Sequence, residues 1–217
     1  MSSAMLGLFV DSFWETIVMV TVSWSVGAVI GLPLGVLLYL TAAGGVHALP
    51  SVNRSVGMVV NALRSIPFII LLVAIIPFTR FVVGTSIGTA AAIVPLSIAA
   101  APYIARLMET ALREVDKGLI EAAESMGATT PQIIYKVLLP EALPGIVGGL
   151  TVAFVSLVGY SAMAGAVGGG GLGDLGIRYG YQRFLPEVML AVVVLLIVFV
   201  QAIQSFGDWL VRRLNKK

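Results

Sequence analysis

Apolar residues run through this chain in long blocks, not in strict alternation. Ile17–Leu40, Val56–Phe78, Ile87–Leu107, Leu143–Met163 and Glu187–Leu210 are rich in Val, Ile, Leu, Ala and Gly and carry few charges. A helix of about 20 apolar residues crosses the roughly 30 Å of hydrocarbon in a bilayer. The pattern predicts an all-α, polytopic membrane protein with five transmembrane helices, forming one domain over residues 1–217. The second block is the least regular, because Asn61 and Arg64 sit inside it. Ser65 to Phe78 alone is too short to cross, so that helix is expected to begin before Arg64, whose side chain would snorkel to the interface.

Composition agrees with the blocks. Hydrophobic residues make up 59% and charged residues 11%, against roughly 25% charged in a soluble domain. The net charge of +2 is no nucleic-acid signal; its distribution matters more. With the N-terminus outside, the cytoplasmic segments hold Arg54, Arg64, Arg106, Arg113, Lys117, Lys136, Arg212, Arg213, Lys216 and Lys217, while the external ones hold Arg80, Arg178 and Arg183. Ten against three sets the orientation by the positive-inside rule. It predicts an external N-terminus, a cytoplasmic C-terminus and a cytoplasmic loop from Glu109 to about Glu141. Met1 to Val10 contains no Lys or Arg and does not read as a cleavable signal peptide.

Much chemistry is excluded. There are 0 cysteines and 1 histidine, His47, so no thiolate or multi-histidine metal site is expected, and His47 reads as a loop residue at the membrane surface. No G-x-x-x-x-G-K-[ST] phosphate loop is present. Gly168, Gly170 and Gly173 match G-x-G-x-x-G, but no strand precedes them, so a dinucleotide site is not expected. Gly27, Gly31 and Gly35 recur every four residues on the first span and predict close helix packing. Pro33 beside them is expected to kink the helix.

The loop carries the sharpest signal. It holds six of the 11 acidic residues: Glu109, Glu114, Asp116, Glu121, Glu124 and Glu141. Within it stand Glu121-Ala122-Ala123, three residues, Gly127, nine residues, then Val137-Leu138-Leu139-Pro140. Lys117–Met126 is expected to form a short helix. Its alanines would present a small surface, and Glu121 would lie near its positive end. Gly127 suits the left-handed ending of a helix. Thr130 would cap a second short helix with Pro131 at its first position, and Pro140 and Pro144 would bound the entry to the fourth span.

This spacing resembles the E-A-A, three residues, G, nine residues, I-x-L-P signature of ABC-importer permeases, with Val137 in place of Ile. The wider chain resembles the permeases of D- and L-methionine importers. The segments that carry this are Arg64–Phe68, Ile76–Arg80, Val83–Gly88, Lys136–Pro144, Gly159–Met163 and Gly168–Tyr181. The resemblance implies an inner-membrane permease that binds no cofactor itself and works by alternating access. Its implied partners are a second copy of this chain, two ATPase subunits that bind ATP and magnesium, and an extracytoplasmic methionine-binding protein. Glu121, Ala122, Ala123, Met126 and Gly127 are then the expected ATPase-coupling residues. Ser156, Tyr160, Ser161 and Met163 on the fourth span are candidates to line the pathway, where hydroxyls and a soft thioether would meet the substrate. Rival readings are the same machine with another cargo, a secondary transporter or channel, and an intramembrane enzyme. The second needs ionisable groups inside the spans, which apart from Arg64 are lacking. The third needs ligands that one histidine does not supply.

Overall fold

The structure is a computed structural model that describes residues 3–43, 45 and 47–215. Lys216 and Lys217 of the predicted tail lie outside them. All regular elements among the described residues are helical. Helix α1 spans Ser3–Thr41, α5 Thr89–Arg113, α8 Leu139–Gly165 and α10 Pro186–Leu214. Each of these four is long and apolar enough to cross a membrane.

The second predicted span is broken into α2 (Pro50–Ser65), α3 (Phe68–Ala74) and α4 (Ile76–Val83). A bend of 98° separates α2 from α3, and counted as one span the pair makes a fifth. Pro67 is the cause. It disfavours the helical region for the residue before it, and Ile66 is extended at φ −82°, ψ 123°. The second break falls at Ile75, with Pro77 in the first turn of α4. Hydropathy stays high across both breaks and so did not reveal them.

Helix α1 is 39 residues long and starts well before Ile17, because nothing in Ser3–Thr16 breaks a helix. Bilayer thickness limits the apolar length, not the helical length. The helix also runs without interruption across Pro33. Its glycine stripe works as expected. A Cβ on Gly27 would sit 2.5 Å from the Ala100 Cβ, on Gly31 2.6 Å from the Ala101 carbonyl oxygen, and on Gly35 2.5 Å from the Met108 Cβ. Backbone therefore meets helix α5 directly. Helix α1 is also tied to α8, where the Trp24 indole N–H donates to the Leu150 carbonyl at 2.9 Å. Met19, Val20, Leu96, Ile104 and Leu157 close the core between α1, α5 and α8.

The bundle has two different ends. At one, Phe9 of α1 and Val188 of α10 pack around Leu172 and Leu175 of a five-residue helix, α9 (Gly171–Leu175). A π-helical turn, Gly176–Tyr181, follows it. At the other end, Met108 and Leu112 of α5 meet the loop elements and the start of α8. His47 lies in an exposed turn at that end, between α1 and α2. The outward faces of the bundle remain apolar: Leu190, Val194, Ile197 and Val198 of α10 are exposed. Such a surface suits lipid or protein neighbours, not water.

Candidate functional site

The loop forms an elbow. Val115 is buried and Asp116 opens helix α6, Lys117–Ser125, as its N-cap, accepting the Gly118 N–H at 2.7 Å. The expected dipole role of Glu121 therefore belongs to Asp116, because Glu121 is the fifth residue of the helix and lies beyond its first turn. The Glu121 carboxylate is exposed and has no hydrogen-bond or ion-pair partner among the described residues.

The end of α6 is a Schellman turn. The Ala128 N–H donates to the Ala123 carbonyl at 3.0 Å and the Gly127 N–H to the Glu124 carbonyl at 2.9 Å. Gly127 holds φ +77°, as its sequence position predicted. Thr129, not Thr130, caps the next helix, α7 (Thr130–Ile133), and the Thr129 N–H donates to Gln132 at 2.8 Å in a capping box. Proline tolerance explains the one-residue offset: Pro131 fits anywhere in the first turn, where its missing N–H costs nothing.

Two further expectations need correction. Ala122 is exposed, but Ala123 is only 4% exposed, packed with Ile120, Ile133 and Leu138. Adjacent residues on a helix point about 100° apart, so one alanine faces out and the other fills the elbow's own core. Met126 also faces out, at 82% exposure. Secondly, α7 is not a separate helix bounded by Pro140. It runs through a π-helical turn, Ile134–Leu138, into α8, and residues Thr130–Gly165 make one span. The Leu139 N–H reaches back five residues to the Ile134 carbonyl. This wider turn accommodates Pro140, which has no N–H and would clash in a regular turn. The elbow is thus built into the base of the fourth span.

The pathway candidates separate on α8. Ser156 and Tyr160 are half-buried and Met163 is 48% exposed; their spacing puts all three on one face. Tyr160 stacks on Phe68 of α3, with ring centroids 4.9 Å apart and an interplanar angle of 7°. The Ser156 hydroxyl donates to the Val152 carbonyl at 2.9 Å. Ser161 is not with them. It is 2% exposed, and its hydroxyl donates to the Val158 carbonyl at 2.8 Å. It belongs to the core face with Leu157 and Ala164.

Sequence reasoning missed a charged cluster. The charge pattern puts Glu109 in the loop, yet it lies in α5 with 3% exposure. Its carboxylate binds Arg106 at 2.5 Å and Arg113 at 2.6 Å. The i, i+3 and i, i+4 spacing of these three residues was the available signal. Arg64 sits against Tyr103 of α5, 5.9 Å from the ring centroid. Tyr103 lies ten residues, roughly 15 Å, before the end of α5, so Arg64 does not reach the bundle's end.

The glycine run shapes a tight turn against α1. Gly170 and Gly171, at φ +82° and +74°, turn the chain so that the Gly171 N–H meets Glu15 at 2.7 Å and the Leu172 N–H meets Thr16 at 2.9 Å. A Cβ on Gly165 would fall 2.4 Å from the Asp174 nitrogen, so α9 lies backbone to backbone on the end of α8. No group of three or more metal-ligating side chains occurs among the described residues.

Known proteins match this architecture. Residues 31–217 match the family described as binding-protein-dependent transport system inner membrane component. The chain is 56% identical over 210 residues to the probable D-methionine transport system permease protein MetI of Vibrio cholerae, covering 97% of this chain and 93% of that one. It is 59% identical over 165 residues to the D-methionine transport system permease protein MetI of Escherichia coli, covering 76% of each. A solved chain described under inward facing conformations of the MetNI methionine ABC transporter superposes at TM-score 0.97, with 56% identity and 100% of both chains covered. An amino acid ABC transporter shares the fold at TM-score 0.80 and 20% identity. The family match covers residues 31–217, the relatives cover 76% and 97% of the chain, and the helices are long and apolar enough to cross a membrane four or five times: the chain belongs to the family of binding-protein-dependent transport system inner membrane components.

Proposed function

We propose that this chain is the methionine-translocating permease of an ATP-driven importer, working as a two-fold pair with two ATPase subunits on the cytoplasmic side and a binding protein outside. The observation that carries the reading is the whole-chain likeness to a methionine transporter chain at 56% identity and TM-score 0.97. The elbow supports the ATPase partner. Ala122 leaves room for close seating, and Met126 and the unpaired Glu121 carboxylate offer an apolar and an acceptor contact beside it. Buried Ala123, Ile133 and Leu138 join that face to α5 and α8, so a push on α6 moves two spans. ATP would be bound and hydrolysed on the partner. Its differential affinity for two arrangements of the spans drives alternating access.

The basic residues support the orientation. Arg54, Arg106, Arg113, Lys117, Lys136, Arg212 and Arg213 gather toward the elbow end, and Arg80, Arg178 and Arg183 toward the other. That distribution supports a cytoplasmic elbow and an external start of α1. Ser156, Tyr160 and Met163, with Phe68, are the proposed pathway face. The decisive experiment is uptake of labelled methionine into vesicles holding this chain, its ATPase and its binding protein. ATP-dependent accumulation is expected, and its absence with another amino acid accumulated instead would overturn the cargo. Ser3→Cys and Asn215→Cys, probed on intact cells with an impermeant thiol reagent, test orientation: labelling only at Asn215→Cys would reverse it.

A further inference from the structure

The contact between α2 and α5 includes charged and amide side chains. Arg106 reaches out of α5 and donates to the Asn61 Oδ1 at 2.9 Å and to the Gly57 carbonyl at 3.3 Å, both on α2. Its other terminal nitrogen binds Glu109 at 2.5 Å. Glu109 is almost fully buried and also holds Arg113 at 2.6 Å. Five residues after Arg113, through Asp116 and Lys117, the chain is inside the elbow helix α6. The Arg106 Nε is buried without an acceptor. Its guanidinium therefore has a donor in reserve, and a buried donor without a partner is a cost that another arrangement of the helices could relieve.

Beside this contact the two helices part. An apolar cleft of about 760 Å³ opens between α1, α2, α4 and α5, lined in part by Ile30, Leu34, Val59, Leu63, Val82 and Ile98. Among the described residues, the polar side-chain bridges from α2 to α5 are the Arg106 bonds and the cation–ring contact of Arg64 with Tyr103. The first bridge stands one step from the elbow. The Glu109 carboxylate fixes the reach of Arg106, so displacement of α6 and the end of α5 acts directly on the bonds to Asn61 and Gly57.

We propose that Glu109 and Arg106 form a latch that holds the cytoplasmic half of the broken second span against α5 in this arrangement, and that the coupling helix breaks and remakes it in each transport cycle. Arg106 is the latch, Asn61 its catch and Glu109 the positioning residue that aims it. The inference rests on the importer reading. A buried carboxylate between two guanidiniums keeps its geometry, while the bonds to Asn61 lie at the exposed edge of α2 and can open. Release exchanges the two Arg106 hydrogen bonds to α2 for other acceptors or for water, a step small enough for ATP binding to drive.

The test uses the full assembly with its ATPase and binding protein in vesicles, where wild-type methionine uptake is measured first; failure there counts against the importer reading, not the latch. Asn61→Leu removes the catch and leaves both Glu109 ion pairs in place. It is expected to assemble normally, to hydrolyse ATP without binding protein about tenfold faster, the shift that loss of one charge-assisted hydrogen bond produces, and to take up less methionine per ATP. Asn61→Asp keeps an acceptor for Arg106 and is expected to restore wild-type coupling. Normal coupling in Asn61→Leu would refute the latch, as would failed assembly of that variant or an Asn61→Asp variant as uncoupled as Asn61→Leu. Glu109→Gln, which keeps an acceptor but no charge, should fall between them, and wild-type coupling there would remove Glu109 from the mechanism.

Discussion

Helix α5 is gripped differently on its two sides. Along α1 it meets a seam of glycines, where backbone touches backbone and a side chain has no room. Along α2 it meets the Arg64 guanidinium and the Asn61 amide, with an open apolar cleft beside them. In a bilayer, helices gain little from burying apolar groups against each other, so association comes from close packing and from polar contacts. The seam uses the first and the α2 contact the second. Close packing has one good arrangement and resists sliding. Hydrogen bonds at an exposed edge can be exchanged. In the cycle proposed above, the α1–α5–α8 slab is the rigid body, and the broken second span is the part that would move against it.

The largest effect is expected where neither contact is touched. Ala122→Trp puts a bulky ring on the exposed face of α6, outside the spans. Uptake should fall more than tenfold, with the spans inserted and the chain folded. Purification with the ATPase, followed by hydrolysis and transport assays, checks this; unchanged assembly together with unchanged transport would show that α6 is not the docking element. Ala123→Trp sharpens the point, because Ala123 is buried in the elbow. It should destabilise the chain itself, and a stable, merely uncoupled variant would mean the two alanines have been assigned to the wrong faces.

On the rigid side, Gly31→Ala adds one carbon 2.6 Å from the Ala101 carbonyl oxygen. A backbone atom cannot step aside as a side chain can. The cost is expected at the upper end of about 1–3 kcal/mol for overpacking, read as a lower thermal midpoint of the purified protein. An unchanged midpoint would show that the seam can slide.

The elbow turn is intermediate. Gly127 has open space around its missing Cβ, so the penalty of Gly127→Val is conformational alone, about 1–3 kcal/mol for a β-branched residue at positive φ. Gly127→Asn should cost less, since asparagine tolerates that region. Coupling of hydrolysis to uptake is the readout, and equal activity of the two variants would remove the left-handed turn from the argument.

What the sequence disclosed follows the same division. The seam was legible because Gly27, Gly31 and Gly35 share a period with the helix. The elbow was legible because Gly127, Pro131 and Pro140 each impose one backbone geometry. The break at Pro67 was hidden, since hydropathy averages over it, and only the extended residue required before proline marked it. Charge alone puts Glu109 in the loop. A carboxylate between two arginines at helical spacing can instead stay buried in a span. Ser161 neighbours Tyr160 in sequence, but the helix turns it about 100° away, onto the core face.

The smallest effect is the mirror of the Gly31 experiment. Gly57 lies on α2, at the loose contact, and Gly57→Ala makes the same chemical change. Here the added carbon would meet the Arg106 Nη2 at 3.4 Å and a Leu38 methyl at 3.9 Å. Both are ends of flexible side chains at ordinary contact distance. Alanine is favoured over glycine in a helix interior by about 0.8–1.0 kcal/mol, so the variant should be as stable as wild type or more so by up to about 1 kcal/mol. The Gly57 carbonyl is still present to accept from Arg106. Thermal unfolding of Gly31→Ala and Gly57→Ala, measured side by side, then reads the two faces of α5 with one probe. Shifts of opposite sign are expected. A loss at Gly57 as large as that at Gly31 would mean that α2 is packed as tightly as α1, and the second span would then have no freedom to move against the slab.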